Sequence, residues 1–139
     1  MLTELPSFGH LTISRRAGGE PVNVTRSPDE LVFLAFNTQI KRLVELHVLR
    51  GGTSMDAAAK RSAFERAQMA TDVRGPTFMR VLEVGEDQGL VYYTSNLNEG
   101  EFVADYIERR GALPPATVFS LLLQLLEDLL LLGNRQRLV

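Results

Sequence analysis

A chain of 139 residues, 45% hydrophobic and 23% charged, is long enough for one domain with its own core and has the composition of an ordinary folded protein. Its formal net charge of −2, from 15 basic and 17 acidic residues, argues against nucleic-acid binding driven by overall charge and leaves only a local basic patch open. Cysteine is absent, which excludes disulfides and thiolate metal sites; His10 and His47 are the two imidazoles, and neither has an acidic cluster beside it at ligand spacing.

The start, Met1-Leu-Thr-Glu-Leu-Pro, has no basic n-region and no unbroken apolar stretch, so it does not read as a signal peptide. Residues 1 to 20 look weakly structured, with a short alternating strand at His10 to Ser14 and a turn at Gly18-Gly19. Alternation returns around Val22 and Val24, and Ser27-Pro28-Asp29 forms a turn. Leu31 to Phe36 predicts an apolar strand, Asn37 to Lys41 a turn, and Leu43 to Leu49 a third strand. Gly51-Gly52 breaks the sheet. Thr53 to Asp56 then fits a helix start, a hydroxyl followed three residues on by a carboxylate, and the helix should run to about Asp72. Phe78 to Val84 and Leu90 to Thr94 predict a hairpin around Gly85 to Gly89. Glu101 to Arg110 reads as a helix stopped by Gly111, with Phe102, Val103, Tyr106 and Ile107 on one face. Pro115 to Leu132 reads as a last helix, stopped by Gly133. The order predicts an α+β fold with an antiparallel sheet of about five strands, one helix packed on it, and two C-terminal helices. It is expected as a single domain over 1–139: an extra segment at 1–20, the sheet and first helix at 21–97, and a helical tail at 98–139.

Within this order, residues 32 to 49 resemble the second and third strands of a protein kinase domain, whose third strand ends Val-Ala-Ile-Lys or Val-Ala-Leu-Lys. The matching run here is Val44-Glu45-Leu46-His47. Arg80-Val-Leu-Glu-Val-Gly-Glu-Asp-Gln-Gly-Leu resembles the fourth and fifth strands of bacterial serine/threonine kinases. Asn98-Glu-Gly-Glu-Phe-Val-Ala-Asp-Tyr-Ile-Glu-Arg-Arg-Gly-Ala-Leu-Pro-Pro resembles the hinge exit and following helix. Phe119-Ser-Leu-Leu-Leu-Gln-Leu-Leu-Glu resembles the long helix before the catalytic loop. Together these pieces cover residues 22 to 135. The resemblance implies a kinase amino-terminal lobe whose site positions are degenerate.

The departures from the kinase pattern fall on the residues that would hold a nucleotide. In the family a glycine-rich loop covers the phosphates with backbone N–H groups. Its counterpart, Thr25-Arg-Ser-Pro-Asp-Glu30, has no glycine, Pro28 has no N–H, and Asp29 and Glu30 carry negative charge. His47 stands where a lysine would contact the phosphates. Arg66 stands where the helix glutamate that pairs with that lysine would be, with Glu65 about 100° away. The chain stops where the catalytic loop would begin, without the base or the magnesium-binding aspartate. No Gly-x-Ser-x-Gly elbow or other catalytic set replaces them. These residues predict no catalytic site, no cofactor, no metal and no enzyme activity. Weak nucleotide binding stays open, with adenine held at the hinge-like Thr94 to Leu97, where the small Ser95 would leave room.

The last helix carries Ser120, Gln124, Glu127 and Asp128 on one stripe and an apolar arc roughly 200° wide, against about 100° for a helix with one buried face. The apolar region Val118 to Leu132 is interrupted by Gln124, Glu127 and Asp128 and falls short of a membrane span of about 20 residues. Its heptad register is not regular enough for a coiled coil. The expectation is a cytoplasmic protein-interaction or scaffold module, with neither nucleic acid nor membrane as partner. It would associate with a protein, or with its own copy as a homodimer, through Leu122, Leu125, Leu126, Leu129 and Leu132; the other ways to cover this helix are folding back on the helix at 101–110 and the sheet, or burial by further chain of a longer protein. A residual nucleotide sensor without phosphotransfer is the alternative.

Overall fold

The computed structural model describes residues 8–49, 56–98 and 100–136. The elements are β1 (Leu11–Ile13), β2 (Glu30–Asn37), β3 (Arg42–Leu49), α1 (Ala57–Ala70), β4 (Val81–Asp87), β5 (Leu90–Asn96), α2 (Val103–Arg110) and α3 (Pro115–Gln136). The strands form one antiparallel sheet in the order β1-β2-β3-β5-β4. This is the kinase amino-terminal-lobe arrangement expected from the sequence. The sheet and α1 form one compact unit; segment 73–79 with α2 and α3 forms a second.

Strand pairing fixes two faces, because residues directly opposite one another in antiparallel strands point the same way. One face carries Leu11, Phe33, Ala35, Val44, Leu46 and Val48, which are buried together with Phe8. The sheet curls around this face. Four strand spacings would separate β1 from β4 by roughly 19 Å in a flat sheet. Yet His10, just before β1, places Nε2 2.8 Å and 2.9 Å from the Glu83 carboxylate oxygens on β4. Phe8 meets Tyr92 edge to face with ring centroids 5.1 Å apart. His10 thus helps close the sheet edge to edge, and the segment expected to be weakly structured supplies the core side chains Phe8 and Leu11. Gly85 lets the Tyr92 ring lie across it, since a Cβ there would come 2.5 Å from the ring and make it move.

The β1 edge is interrupted. Ser14 and Val22 both bond to Leu34 of β2, and residues 15–21 form an excursion closed by Gly19, with φ of 86°. After it the edge resumes: Asn23 bridges Phe33, and Val24 N–H donates to Val32 O at 2.8 Å.

Several boundaries differ from the sequence reading. Asp56 is the N-cap of α1, accepting from Ala59 N–H at 2.6 Å; the proposed cap Thr53 lies outside the described residues. The strand expected to start at Phe78 starts at Val81, because Gly75 to Phe78 forms a turn with Phe78 N–H donating to Gly75 O. The β4–β5 hairpin is tighter than expected. Gln88 and Gly89 have φ of 51° and 78°, the positive pair of a two-residue turn matched to strand twist. Gly133 does not stop α3, which continues to Gln136; a helical glycine costs only about 1 kcal/mol relative to alanine.

Candidate functional site

The candidate site lies on the face of the sheet opposite the main core. Register aligns Val32, His47 and Tyr93 in one row across β2, β3 and β5, and Leu34, Glu45 and Ser95 in the next. Glu30 opens β2 on the same face, two residues before Val32. His47 is 4% exposed and Ser95 is fully buried.

Both ring nitrogens of His47 are engaged. Nδ1 lies 3.0 Å from Glu30 Oε1, and Nε2 lies 2.9 Å from Ser95 Oγ and 3.6 Å from Glu45 Oε2. The neutral ring with its proton on Nδ1 donates to Glu30 and accepts from the Ser95 hydroxyl; the imidazolium donates from both nitrogens. Tyr93 stacks on the ring at 4.4 Å, nearly parallel, and donates its O–H to Glu30 Oε2 at 2.7 Å. Burial, then the hydrogen bond to Glu30 and the Glu30 and Glu45 charges, push the Tyr93 phenol well above its ordinary range. The result is a chain running from a half-buried carboxylate and phenol to a buried imidazole and hydroxyl.

The order Glu30, His47, Ser95 is the hydrogen-bond order of a nucleophilic triad. It lacks what the chemistry needs. Ser95 Oγ is closed off from solvent, and Ser95 sits inside β5, whose backbone is committed to strand pairing with β3 and β4 rather than free to receive an oxyanion. The arrangement therefore serves as a structural polar network in which one side chain from each of three strands fixes register.

The turn before β2 is also closed upon itself. Thr25 N–H donates to Asn23 Oδ1 at 2.9 Å, Asp29 N–H to Ser27 Oγ at 3.2 Å, and Val32 N–H to Thr25 Oγ1 at 2.9 Å. Asp29 is exposed at its tip. Arg66 and Glu65 are both exposed on α1, and His47 has its nitrogens occupied by other partners. Ser95, expected to leave room, is fully buried with its Oγ 2.9 Å from His47 Nε2. Sequence reasoning singled out His47 and Ser95 but missed Glu30 and Tyr93 as their partners. The available signal was polar residues two apart on neighbouring strands: Glu45 with His47, and Tyr93 with Ser95.

In the second unit, α3 is turned in a direction its sequence did not suggest. Asp128 is buried and accepts from Thr77 N–H at 2.9 Å and Thr77 Oγ1 at 2.6 Å. Gly75 permits this approach, because a Cβ on it would come 3.0 Å from Asp128 Oδ2. Of the five expected contact leucines, Leu122, Leu125, Leu126 and Leu129 are exposed and Leu132 is half-buried. Phe119 at 70% and Leu130 at 68% are more exposed than any of these and were not among them. The apolar part of the helix is also longer than read from the sequence: Pro115–Asn134 is long and apolar enough, by length and composition, to cross a membrane.

No family model and no curated protein matches the chain. Among solved structures it is similar to the kinase domain of Mycobacterium tuberculosis PknI. Against a double mutant of that domain the TM-score is 0.66 at 20% identity, covering 82% of this chain and 43% of the other. Against the domain without those mutations the TM-score is 0.61 at 21% identity, covering 78% and 42%. The chain spans less than half the length of these kinase domains. The likeness is one of fold, and the fold is that of a kinase amino-terminal lobe followed by two helices.

Proposed function

We propose that this chain is a kinase-fold module without phosphotransfer that works by binding a protein partner or its own copy through α3. The observation that carries the reading is the engagement of both His47 ring nitrogens by Glu30 and Ser95. The position that a kinase would use to grip phosphate belongs here to a buried network. Two carboxylates, Glu30 and Glu45, lie beside it. A phosphate 4 Å from either would meet a repulsion of about 1 kcal/mol in water and about 4 kcal/mol where solvent is partly excluded. The turn at 25–30 adds no compensation, with Pro28 lacking an N–H and the Thr25 and Asp29 N–H groups donated to side chains. The exposed apolar surface of α3 supports the binding role, since contiguous patches of this kind mark interaction sites.

Thermal unfolding with ATP and with adenosine, each with and without magnesium, tests the first half. A ligand at a hundred times its Kd would stabilise by about 2.7 kcal/mol, several degrees in a chain of this size. The expected result is no shift. A shift of several degrees with either ligand would replace this reading with that of a nucleotide sensor.

A further inference from the structure

The structure fixes which side of α3 carries its buried polar contact. Asp128 docks into its own unit through Thr77. At 100° per residue, Phe119, Leu126 and Leu130 lie on the opposite side of the helix, with Leu123 beside them. They are 70%, 57%, 68% and 48% exposed; Leu121 and Leu131, nearer Asp128, are also open at 45% and 55%, so it is the Asp128 contact that sets which side lies farthest from the docked segment. The outward seam is therefore Phe119, Leu123, Leu126, Leu130, with spacings of four, three and four. That spacing reads the same in both directions.

We propose that α3 pairs with α3 of a second copy, antiparallel, through this seam; the proposal rests on the reading of α3 as the binding element and names its partner. In a two-fold antiparallel pair Phe119 packs against the partner's Leu130, and Leu123 against the partner's Leu126, so each contact occurs twice, as an isologous interface requires. The residues flanking the seam decide the direction. Leu122 and Leu129 flank one edge, Ser120 and Glu127 the other. Antiparallel pairing sets Leu122 against the partner's Leu129 and Ser120 against the partner's Glu127, so apolar meets apolar and polar meets polar. Parallel pairing would set each Leu122 against the partner's Glu127, wetting a leucine or drying a carboxylate on both edges.

Lipid is the other apolar environment such a helix could enter, and the side chains argue against it. Glu127 is exposed near mid-helix, where hydrocarbon would surround it.

The chain carries no cysteine, so single substitutions report contacts cleanly. The full chain is sized by light scattering across a wide concentration series, and Phe119→Cys and Leu130→Cys are oxidised alone and mixed. The expected mass is twice 15.5 kDa, with a covalent dimer forming severalfold faster in the mixture than with either variant alone. Cross-linking that is fastest within each variant alone would overturn the antiparallel arrangement while leaving α3 as the binding element. A monomer at every concentration, with no cross-link, would overturn self-pairing. A dimer that forms no cross-link and also survives Leu126→Glu, with helicity unchanged by circular dichroism, would overturn both this inference and the role assigned to α3.

Discussion

Replacing His47 with alanine removes the centre of the buried network, and its cost can be worked from the contacts. Ser95 Oγ, fully buried, would lose its partner, at about 1–3 kcal/mol for an unsatisfied buried hydroxyl. Glu30 would lose one hydrogen bond and keep the one from Tyr93, a loss of about 1 kcal/mol. The stacked contact with Tyr93 contributes about 0.5–1.5 kcal/mol more. The sum, about 3–5 kcal/mol, lowers the melting temperature by roughly 10–20 °C in a chain of this length. Urea unfolding is the assay, with an unchanged m-value confirming that the native state, not the unfolded one, was altered. Combining His47→Ala with Ser95→Ala should cost less than the two separately, because the second change removes a group already orphaned by the first. A loss under about 1 kcal/mol, or strict additivity in that cycle, would refute the view that His47 is held as a structural member of the sheet.

Asp128→Ala should destabilise by about 2–3 kcal/mol, since it strips two donors of Thr77 of a carboxylate acceptor, while Asp128→Asn, which keeps one acceptor oxygen, should cost about 1 kcal/mol. Urea unfolding separates them, and equal losses for the two would show that the side chain's volume matters rather than its acceptors. Alkali should destabilise the fold through Tyr93. Its phenol is raised on folding, so its contribution is complete below the unfolded value of about 10 and is lost as pH climbs toward the folded one. Tyr92 is raised as well, by burial first and then by Glu83 and Asp87, so the measurement compares Tyr93→Phe with the parent chain in urea melts at increasing pH. The substitution should flatten the alkaline loss; an unchanged slope would place the effect elsewhere.

The sheet was largely legible because its turns and alternation agree. Glu30 to Asn37 and Arg42 to Leu49 fall within one residue of the strands expected, and Gly89 marks the hairpin. What was not legible was which face each residue takes when a strand is apolar throughout. Leu31 to Phe36 gives no parity, so the pairing of Val32 with His47, and hence the reach of Glu30 to the ring, waited for the register. A one-residue slip would have sent His47 into the main core beside Val44 and Leu46. The closure of the sheet by His10 and Glu83 was illegible for a different reason. The two residues are 73 positions apart, on strands that are not neighbours, and only curvature brings them together.

α3 inverts the rule by which an amphipathic helix is ordinarily read. Its polar stripe would be assigned to solvent and its leucines to the interior. Instead Asp128 is buried and the leucines are exposed. The inversion has a local cause: Thr77 offers two donors, and Gly75 removes the Cβ that would keep Asp128 away. A carboxylate with matched donors docks one side of the helix, and most of the wide apolar arc is left exposed. Each leucine left wet forfeits about 1.5–3 kcal/mol that burial would supply, several times over along the helix. That is large against the 5–15 kcal/mol by which folded domains are stable at all. On the self-pairing proposed for α3, the sequence pattern that looks anomalous for one chain becomes ordinary when two chains share it.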